Sequence, residues 1–178
     1  CPAARRKTPG PALEPRREKT RIDTVYDAAS LTKVIATTTA VMQLVERGQL
    51  ELDAPVTRYL PAFGLHGKDA ITVRQLLTHV SGLRPDVDLK PAWTGYETGV
   101  DLACRERLRG TTGFTFIYSD INFIVLGELV RVITGDRLDA YADREIFRPI
   151  GMSDTGFNPS EKRRRRSAPT ERLPEGLL

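Results

Sequence analysis

A serine and a lysine separated by one helical turn are the residues in this sequence best suited to chemistry. Ser30 and Lys33 lie three positions apart, which places both side chains on one face of a helix. At a helix N-terminus, free backbone N–H groups and the helix dipole favour developing negative charge, so Ser30 could act there as a nucleophile. Burial of Lys33 would lower its pKa and supply a neutral amine as a base. Taken alone, the pair favours a plainer interpretation, in which Ser30 caps the helix and Lys33 is solvated.

The elements that must position this pair are predicted to be mainly helices. The stretch 30–49 has apolar residues at helical spacing and ends near Gly48, which predicts a helix buried in the middle of a domain. A second strongly periodic helix is predicted over 122–133, with Gly135 as its stop. Further helices are expected over three other stretches: 53–60, which Asp53 would cap, 97–108 and 138–147.

Two shorter signals complete the predicted elements. Thr72 and Gln75 have the spacing of a capping box, which starts a helix with reciprocal hydrogen bonds between side chain and backbone. Only 71–73 and 114–118 are weak candidates for extended structure. The sequence therefore predicts a helix-rich unit.

Length and composition place the chain among single folded domains. Of its 178 residues, 40% are hydrophobic and 28% charged, which argues against disorder and against a coiled coil over most of the length. No apolar run approaches the ~18 residues that a transmembrane helix needs. Cys1 and Cys104 are too few for a disulfide framework, and neither has a Cys or His neighbour at metal-ligand spacing. We therefore expect no metal and no other cofactor, and we interpret Cys104 as a packed thiol.

The net charge of +4 is unevenly distributed along the chain. The stretch 1–22 is a basic, proline-rich tail or linker, and 160–178 is a basic loop at a truncated end. Between them, 23–159 carries 14 basic and 18 acidic residues and forms the helical part of the domain. Because this part is net negative, no nucleic-acid partner is expected. A lipid anchor on Cys1 is a minor alternative, since no export signal precedes it in the sequence.

Four stretches, in order along the chain, resemble the motifs of one enzyme superfamily. Residues 28–33 resemble the nucleophile motif of the serine β-lactamases and penicillin-binding proteins, in particular of the class C-like branch with its D-Ala-D-Ala carboxypeptidases and esterases. Residues 76–83 resemble the turn that follows the central helix of this superfamily, and 118–120 resemble its Tyr-x-Asn motif. Residues 149–155 are similar to its Pro-Leu-Gly-Met-x-x-Thr segment. The resemblance extends over 24–159.

The resemblance implies an α+β fold of the β-lactamase/transpeptidase type and a mechanism through an acyl-enzyme. Ser30 would attack an ester, amide or β-lactam carbonyl of a small-molecule or peptidoglycan-like substrate. Lys33 and Tyr118 would share the proton, and the sequence leaves open which of them is the base. The compartment is unknown from the residues themselves, and the resemblance implies the periplasm or cell envelope.

Asp120 departs from the pattern of the superfamily, which has an asparagine there. An amide can donate a hydrogen bond to a substrate carbonyl and a carboxylate cannot, so a carboxypeptidase or an esterase is as consistent with the sequence as a β-lactamase. We predict Asp120 as a substrate-binding residue, with capping of the following helix as the alternative. His79 is expected to hold its turn by hydrogen bonds rather than to act as a base, and the run 163–166 to form an exposed loop.

The sequence contains no Lys-x-Gly or His-x-Gly tripeptide, the motif on the strand that lines the opposite wall of the cleft in this superfamily. We therefore expect the chain to cover mainly the helical region of the fold and to lack most of its antiparallel sheet. Whether the chain alone is active stays open, because such a strand supplies a second oxyanion donor. The alternative function is a noncatalytic helical binding domain derived from the same superfamily.

Overall fold

The computed structural model describes residues 20–168, which belong to two compact units. The larger unit is Ser30–Met152, and the other combines the two ends of the chain, of which 20–29 and 153–168 are described. Cys1, most of the predicted tail and the end of the predicted basic loop lie outside the described residues. The domain boundaries predicted from sequence stay predictions.

The unit Ser30–Met152 is built from helices and the connections between them. Its α-helices are α1 (Thr39–Glu46), α2 (Val73–Leu77), α3 (Tyr96–Arg105), α4 (Asp120–Thr134) and α5 (Leu138–Ala142). Two π-helical segments, Lys33–Thr38 and Asp143–Phe147, precede α1 and follow α5, and 3-10 helices occupy Val56–Arg58 and Pro61–Gly67. In the described part of the chain, no helix has the length and apolar character needed to span a bilayer.

Helix α4 is the centre of this unit. Its apolar residues recur at helical spacing, and the stretch 125–130 is entirely buried. The four other α-helices of the unit pack against it. Each large apolar side chain that it buries contributes roughly 1.5–3 kcal/mol to stability. The predicted helix over 122–133 and its stop at Gly135 are thus confirmed.

The helix predicted over 30–49 is shorter and less buried than expected. Ser30 lies in a turn, Leu31 and Thr32 are α-helical, Lys33–Thr38 is π-helical, and α-helical winding resumes in α1. Leu31 is 59% and Val34 58% exposed. The prediction of a helix buried on most sides is therefore wrong, because apolar spacing shows which residues could be covered and not whether a neighbour covers them.

The predicted capping box is confirmed, whereas the predicted cap before it is wrong. Gln75 N–H donates to Thr72 Oγ1 at 3.2 Å, and Thr72 N–H donates to Gln75 Oε1 at 3.0 Å. Asp53 was the expected cap of a short helix, but its carboxylate pairs with Arg74 at 2.6 and 2.7 Å. The element that follows Asp53 is the short 3-10 helix. The Asp53 carboxylate binds the Arg74 guanidinium rather than a backbone N–H, because two hydrogen bonds between charged groups are stronger than one capping hydrogen bond to the backbone.

The remaining predicted elements differ from the structure at their ends. The helix predicted over 97–108 is α3, and the one over 138–147 divides into α5 and a π-helical segment. The weak extended candidates 71–73 and 114–118 form no strand, and within residues 20–168 only isolated bridges occur, such as Leu83 with Leu108. These short stretches have no neighbouring strand with which to form a ladder.

The described part of the second unit is held by polar contacts. Val25 and Ser167 form an isolated bridge, and Arg166 binds both oxygens of Asp154 at 2.7 and 2.9 Å. The run 163–166, predicted as an exposed loop, begins in a short helix, α6 (Glu161–Arg164), and continues as a turn. The prediction of a loop is therefore wrong for Arg163 and Arg164, whereas Arg165 and Arg166 lie in the turn. Arg163 pairs with Asp154 and Arg165 with Glu161, which supplies counter-charges along the run.

Candidate active site

Ser30 and Lys33 meet at the start of the π-helical segment. Lys33 Nζ donates a hydrogen bond to Ser30 Oγ at 3.1 Å, and the backbone N–H of Lys33 donates to the Ser30 carbonyl at 3.0 Å. Further along, Thr39 Oγ1 donates to the Val34 carbonyl oxygen at 3.1 Å, which satisfies an acceptor in the widened helix. Widened turns of this kind occur frequently at functional sites. The structure therefore brings the predicted pair together.

Asp120 completes a charged contact with Lys33. Lys33 Nζ lies 2.5 Å from Asp120 Oδ1, with the lysine side chain 13% exposed and the aspartate side chain 46% exposed. Among the described residues, Oδ1 is buried without a well-directed hydrogen bond, so the contact is an ion pair held by charge. Ser119 occupies the N-cap of α4 and Asp120 its first helical position. The alternative of Asp120 as a helix cap is therefore wrong, and its substrate-binding role stays a prediction.

The pKa of Lys33 is raised, which is opposite to the direction predicted from sequence. Burial does act to lower the pKa of the ammonium, but the contacts of the ammonium with Asp120 and Tyr118 and the charge of Asp120 outweigh it. Lys33 therefore carries its positive charge in the resting site. The prediction of a neutral lysine base is wrong because the sequence did not show which carboxylate would face the amine.

Tyr118 presents its ring to the same ammonium. Lys33 Nζ lies 4.9 Å from the centre of the Tyr118 ring, and the tyrosine is about half exposed. Hydrogen bonding to Ser30 and then to Lys33 lowers the pKa of the Tyr118 phenol below its ordinary value, although burial and Asp120 act against this. The ammonium and the serine hydroxyl thus make the Tyr118 phenol more acidic than a free tyrosine.

His79 supports Tyr118 from its other side. The two rings stack with their centres 4.5 Å apart and their planes 28° apart. His79 Nδ1 accepts a hydrogen bond from the Ser119 N–H at 3.0 Å, which requires a neutral imidazole with its proton on Nε2. Burial and the charge of Lys33 lower the pKa of His79 and keep it neutral, against a smaller opposing effect of Asp120. These contacts match the turn-holding role expected of His79.

The turn around Gly82 aligns the stretch that carries Tyr118. Ser81 Oγ donates to Asn122 Oδ1 at 2.7 Å, and the His79 carbonyl accepts the Ile117 N–H at 2.9 Å. Gly82 has φ +82°, and a side chain there would overlap the carbonyl oxygen of Gly110. Only glycine allows this approach of two backbones. The turn and the catalytic candidate are thus parts of one hydrogen-bonded assembly.

Sequence reasoning missed how the start of α4 is anchored. Ser119 Oγ donates to the Arg84 carbonyl at 2.6 Å, and Asp120 N–H donates to the Pro85 carbonyl at 2.6 Å. Arg84 is itself fixed by ion pairs with Asp88 and Glu106 at 2.8 and 2.6 Å. No spacing rule links these positions, since the contacts depend on how distant segments pack. The acidic residue beside Tyr118 was the one available signal for an ion pair with Lys33.

Cys104 lies outside the group of site residues described above. Cys104 is buried, and burial raises the pKa of its thiol to about 11, so it stays protonated at neutral pH. This agrees with its interpretation as a packed thiol. Within residues 20–168, His, Cys, Asp and Glu form no group of three or more that could hold a metal ion.

Comparison with known proteins identifies the family to which this chain belongs. The family model described as Beta-lactamase matches residues 9–176. The chain belongs to the Beta-lactamase family. The resemblance inferred from the four motifs is thereby confirmed.

Two curated relatives show the range of the Beta-lactamase family to which this chain is similar. An N-acetylmuramyl-L-alanine amidase of Bacillus subtilis (strain 168) is 33% identical over 183 residues, in a match covering 94% of this chain and 42% of the amidase. A protein of Escherichia coli (strain K12), named provisionally as a D-alanyl-D-alanine carboxypeptidase, is 32% identical, and the match covers 88% of this chain and 39% of that protein. The chain thus spans about two fifths of the length of these relatives.

A solved structure to which this chain is similar shows the fold. A family VIII carboxylesterase matches with a TM-score of 0.76 at 24% identity, covering 88% of this chain and 44% of the esterase. The chain therefore shares the β-lactamase/transpeptidase-type fold over the part that it covers. The described part is helical with almost no strand, as expected for the helical region of that fold.

Proposed function

We propose that this chain carries the nucleophile region of a serine hydrolase that works through an acyl-enzyme on Ser30. The observation that carries the proposal is the position of the Lys33 ammonium, which lies 3.1 Å from Ser30 Oγ, 2.5 Å from Asp120 and 4.9 Å from the Tyr118 ring centre. A hydroxyl between a charged ammonium and a phenol of lowered pKa can lose its proton as it attacks.

The proton transfer assigns distinct roles to the three side chains. As Ser30 Oγ forms its bond to the substrate carbonyl carbon, its proton passes to the Tyr118 oxygen, while the Lys33 ammonium stabilises the charge on both oxygens. When the tetrahedral intermediate collapses, the bond to the leaving oxygen or nitrogen breaks and that atom takes the proton from Tyr118. Water then repeats the sequence on the ester of Ser30 and releases the acid.

The substrate class follows from the relatives and from Asp120. The two curated relatives are named for an N-acetylmuramyl amide and for a D-alanyl-D-alanine peptide, and the solved neighbour is a carboxylesterase. We propose an ester or amide of a small molecule or of peptidoglycan-like material, handled in the periplasm or cell envelope. A carboxylate at Asp120 does not donate a hydrogen bond to a substrate carbonyl, which makes a β-lactam the less favoured acyl donor.

The test is covalent labelling of the purified protein by a fluorophosphonate, with the labelled residue identified by mass spectrometry. We expect one phosphonylated peptide, which contains Ser30, and complete loss of that label in Ser30→Ala. Ser153→Ala, which removes an exposed hydroxyl from a turn, is the matched control and should label at the wild-type rate.

Labelling that persists at the same rate in Ser30→Ala would contradict the proposed function. In that case the noncatalytic binding domain becomes the better explanation of the chain. Substrates of each class can then be compared by their ability to protect Ser30 from the probe, since an acylated serine cannot react again.

A further inference from the structure

The Asp120 carboxylate lies where it can influence the charge of the Lys33 amine rather than contact the substrate. Its buried oxygen, Oδ1, faces Lys33 Nζ at 2.5 Å, and the amine is the more sheltered partner, with its side chain 13% exposed. In such a setting an ion pair is screened less by water than at the open surface. The protonation of Lys33 is therefore coupled closely to the charge of Asp120.

We propose that Asp120 is a positioning residue that keeps the Lys33 ammonium charged and directed at Ser30 and Tyr118, and thereby extends the alkaline limit of the site. The proposal rests on the proposed function of Ser30. It differs from a substrate-binding role, because Asp120 then acts through Lys33 and touches no reacting atom.

Among the described residues around Lys33, Asp120 supplies the negative charge. The first turn of the π-helical segment contains no acidic residue. The turn after α2 contributes His79, whose neutral ring accepts a hydrogen bond and brings no charge. The stretch before α4 contributes the Tyr118 phenol, and α4 contributes Asp120 and the Phe123 ring, whose centre lies 5.8 Å from Lys33 Nζ. With an amide at 120, the ammonium would face no carboxylate among residues 20–168 that acts on it, and Tyr118 would be its one acidic neighbour there.

The backbone holds Asp120 in place independently of Lys33. Its N–H donates to the Pro85 carbonyl at 2.6 Å, and the preceding Ser119 is tied through its side chain to the Arg84 carbonyl. An asparagine can keep these backbone contacts and nearly the same volume. Asp120→Asn therefore removes the charge and leaves the arrangement of the helix start intact.

The experiment is the pH dependence of fluorophosphonate labelling in wild type, in Asp120→Asn and in a matched control. In the wild type, the acid limb reports ionisation of Tyr118 and the alkaline limb reports loss of the proton from Lys33. In Asp120→Asn, the alkaline limb should move to lower pH because the ammonium loses its counter-charge. The acid limb should move the same way, since Asp120 opposes the phenolate. At a fixed pH on the alkaline limb, Asp120→Asn should label about tenfold more slowly than wild type for each pH unit by which its limb is shifted.

The control is Asp101→Asn, which removes the same charge from an exposed ion pair with Arg105 on α3. Both limbs should keep their wild-type positions in this variant. For an ester substrate, Asp120→Asn should change kcat through the same shift and leave KM near its wild-type value. Limbs that stay in place while KM rises would overturn the proposal and assign Asp120 to substrate binding.

A second measurement separates this proposal from the proposed function. The Lys33 ε-carbon resonance, assigned by its absence in Lys33→Arg, is titrated by NMR in wild type and in Asp120→Asn. A lower titration midpoint in Asp120→Asn supports the ion-pair role, and an unchanged midpoint overturns it. If wild-type Ser30 is not labelled, the proposed function fails, and the titration alone then decides the role of Asp120.

Discussion

Lys33 shows how far local spacing determines chemistry at a single residue. Its contact with Ser30 is a consequence of helical geometry and could be predicted from the identities and the spacing of the two residues. Its ionisation could not, because the partner that decides it, Asp120, is distant in the chain and arrives through packing. The sequence gives the burial of a lysine only in general terms, and burial alone indicates the wrong direction for this pKa.

The ring of His79 makes folding stability depend on pH. Its pKa is lowered in the folded state, so below about 6.5 the unfolded chain binds more protons at this position than the folded chain does. The contribution of neutral His79 is therefore fully present above that pH and is lost as the pH falls through the folded-state pKa. We expect the urea-derived free energy of unfolding to decrease between pH 7.5 and pH 5.5 by less in His79→Asn than in wild type.

His66→Asn is the control for this measurement. Both histidines have left-handed backbones, with φ of 58° for His79 and 60° for His66, and asparagine tolerates that conformation. His66 is exposed, and its replacement controls for the exchange of a histidine for an asparagine on such a backbone. Equal slopes in all three proteins would show that the ring of His79 is not held neutral by its surroundings.

The turn that contains Gly82 is the element on which the position of Tyr118 depends. A Cβ at Gly82 would overlap the Gly110 carbonyl oxygen, whereas a Cβ at Gly48 would meet no atom within 4 Å although its φ is also positive, at +68°. Gly48→Ala should therefore cost only the left-handed strain, about 1–2 kcal/mol. Gly82→Ala should cost about 1–3 kcal/mol more, because the overlap must be relieved by backbone movement.

Chemical denaturation measures both costs, and fluorophosphonate labelling adds a second readout. Movement of the turn displaces His79 and with it the ring of Tyr118, so the folded Gly82→Ala protein should label more slowly than wild type. Gly48→Ala, by contrast, should label normally. Similar stability losses in the two variants would mean that the turn accommodates a side chain and does not fix the site.

Elements with a strong local signal could be predicted, and those defined by their neighbours could not. Helix α4 carries a long apolar repeat and a glycine stop, both of which act within one stretch of chain. The π-helical segment Lys33–Thr38 has no such signal, because the same apolar spacing fits α- and π-helical winding. The contacts of the turn after α2 with 109–117 are equally invisible in sequence, since they join separate backbone stretches.

At the scale of the whole molecule, the segments that carry the site residues also carry exposed apolar side chains. Leu31 and Val34 flank Ser30 and Lys33 at 59% and 58% exposure, and Phe114 and Phe116 precede Tyr118 at 88% and 67%. Exposed apolar surface of this kind commonly marks a contact site. We expect the 178-residue chain to bind the dye ANS, and the double variant Phe114→Ser/Phe116→Ser to bind less of it without a lower melting temperature.

Ile150→Ser is the control for dye binding. Ile150 is as exposed as Phe116, at 67%, but it follows α5 and belongs to neither segment of the site. Its replacement should leave ANS fluorescence unchanged. A similar decrease in both variants would mean that the dye reports exposed apolar area in general and not the segments around Ser30 and Tyr118.

The winding of Lys33–Thr38 has a consequence for how the length of this region can vary. Each i→i+5 turn holds one residue more than an α-helical turn, so removal of one residue from Lys33–Thr38 would let the segment return to ordinary α-helical winding with little change in the direction of Ser30. Removal of one residue from the regular winding of α1 would instead turn everything ahead of it by about 100° around the helix axis and point Ser30 away from Tyr118. The π-helical segment therefore absorbs a change in length that α1 does not.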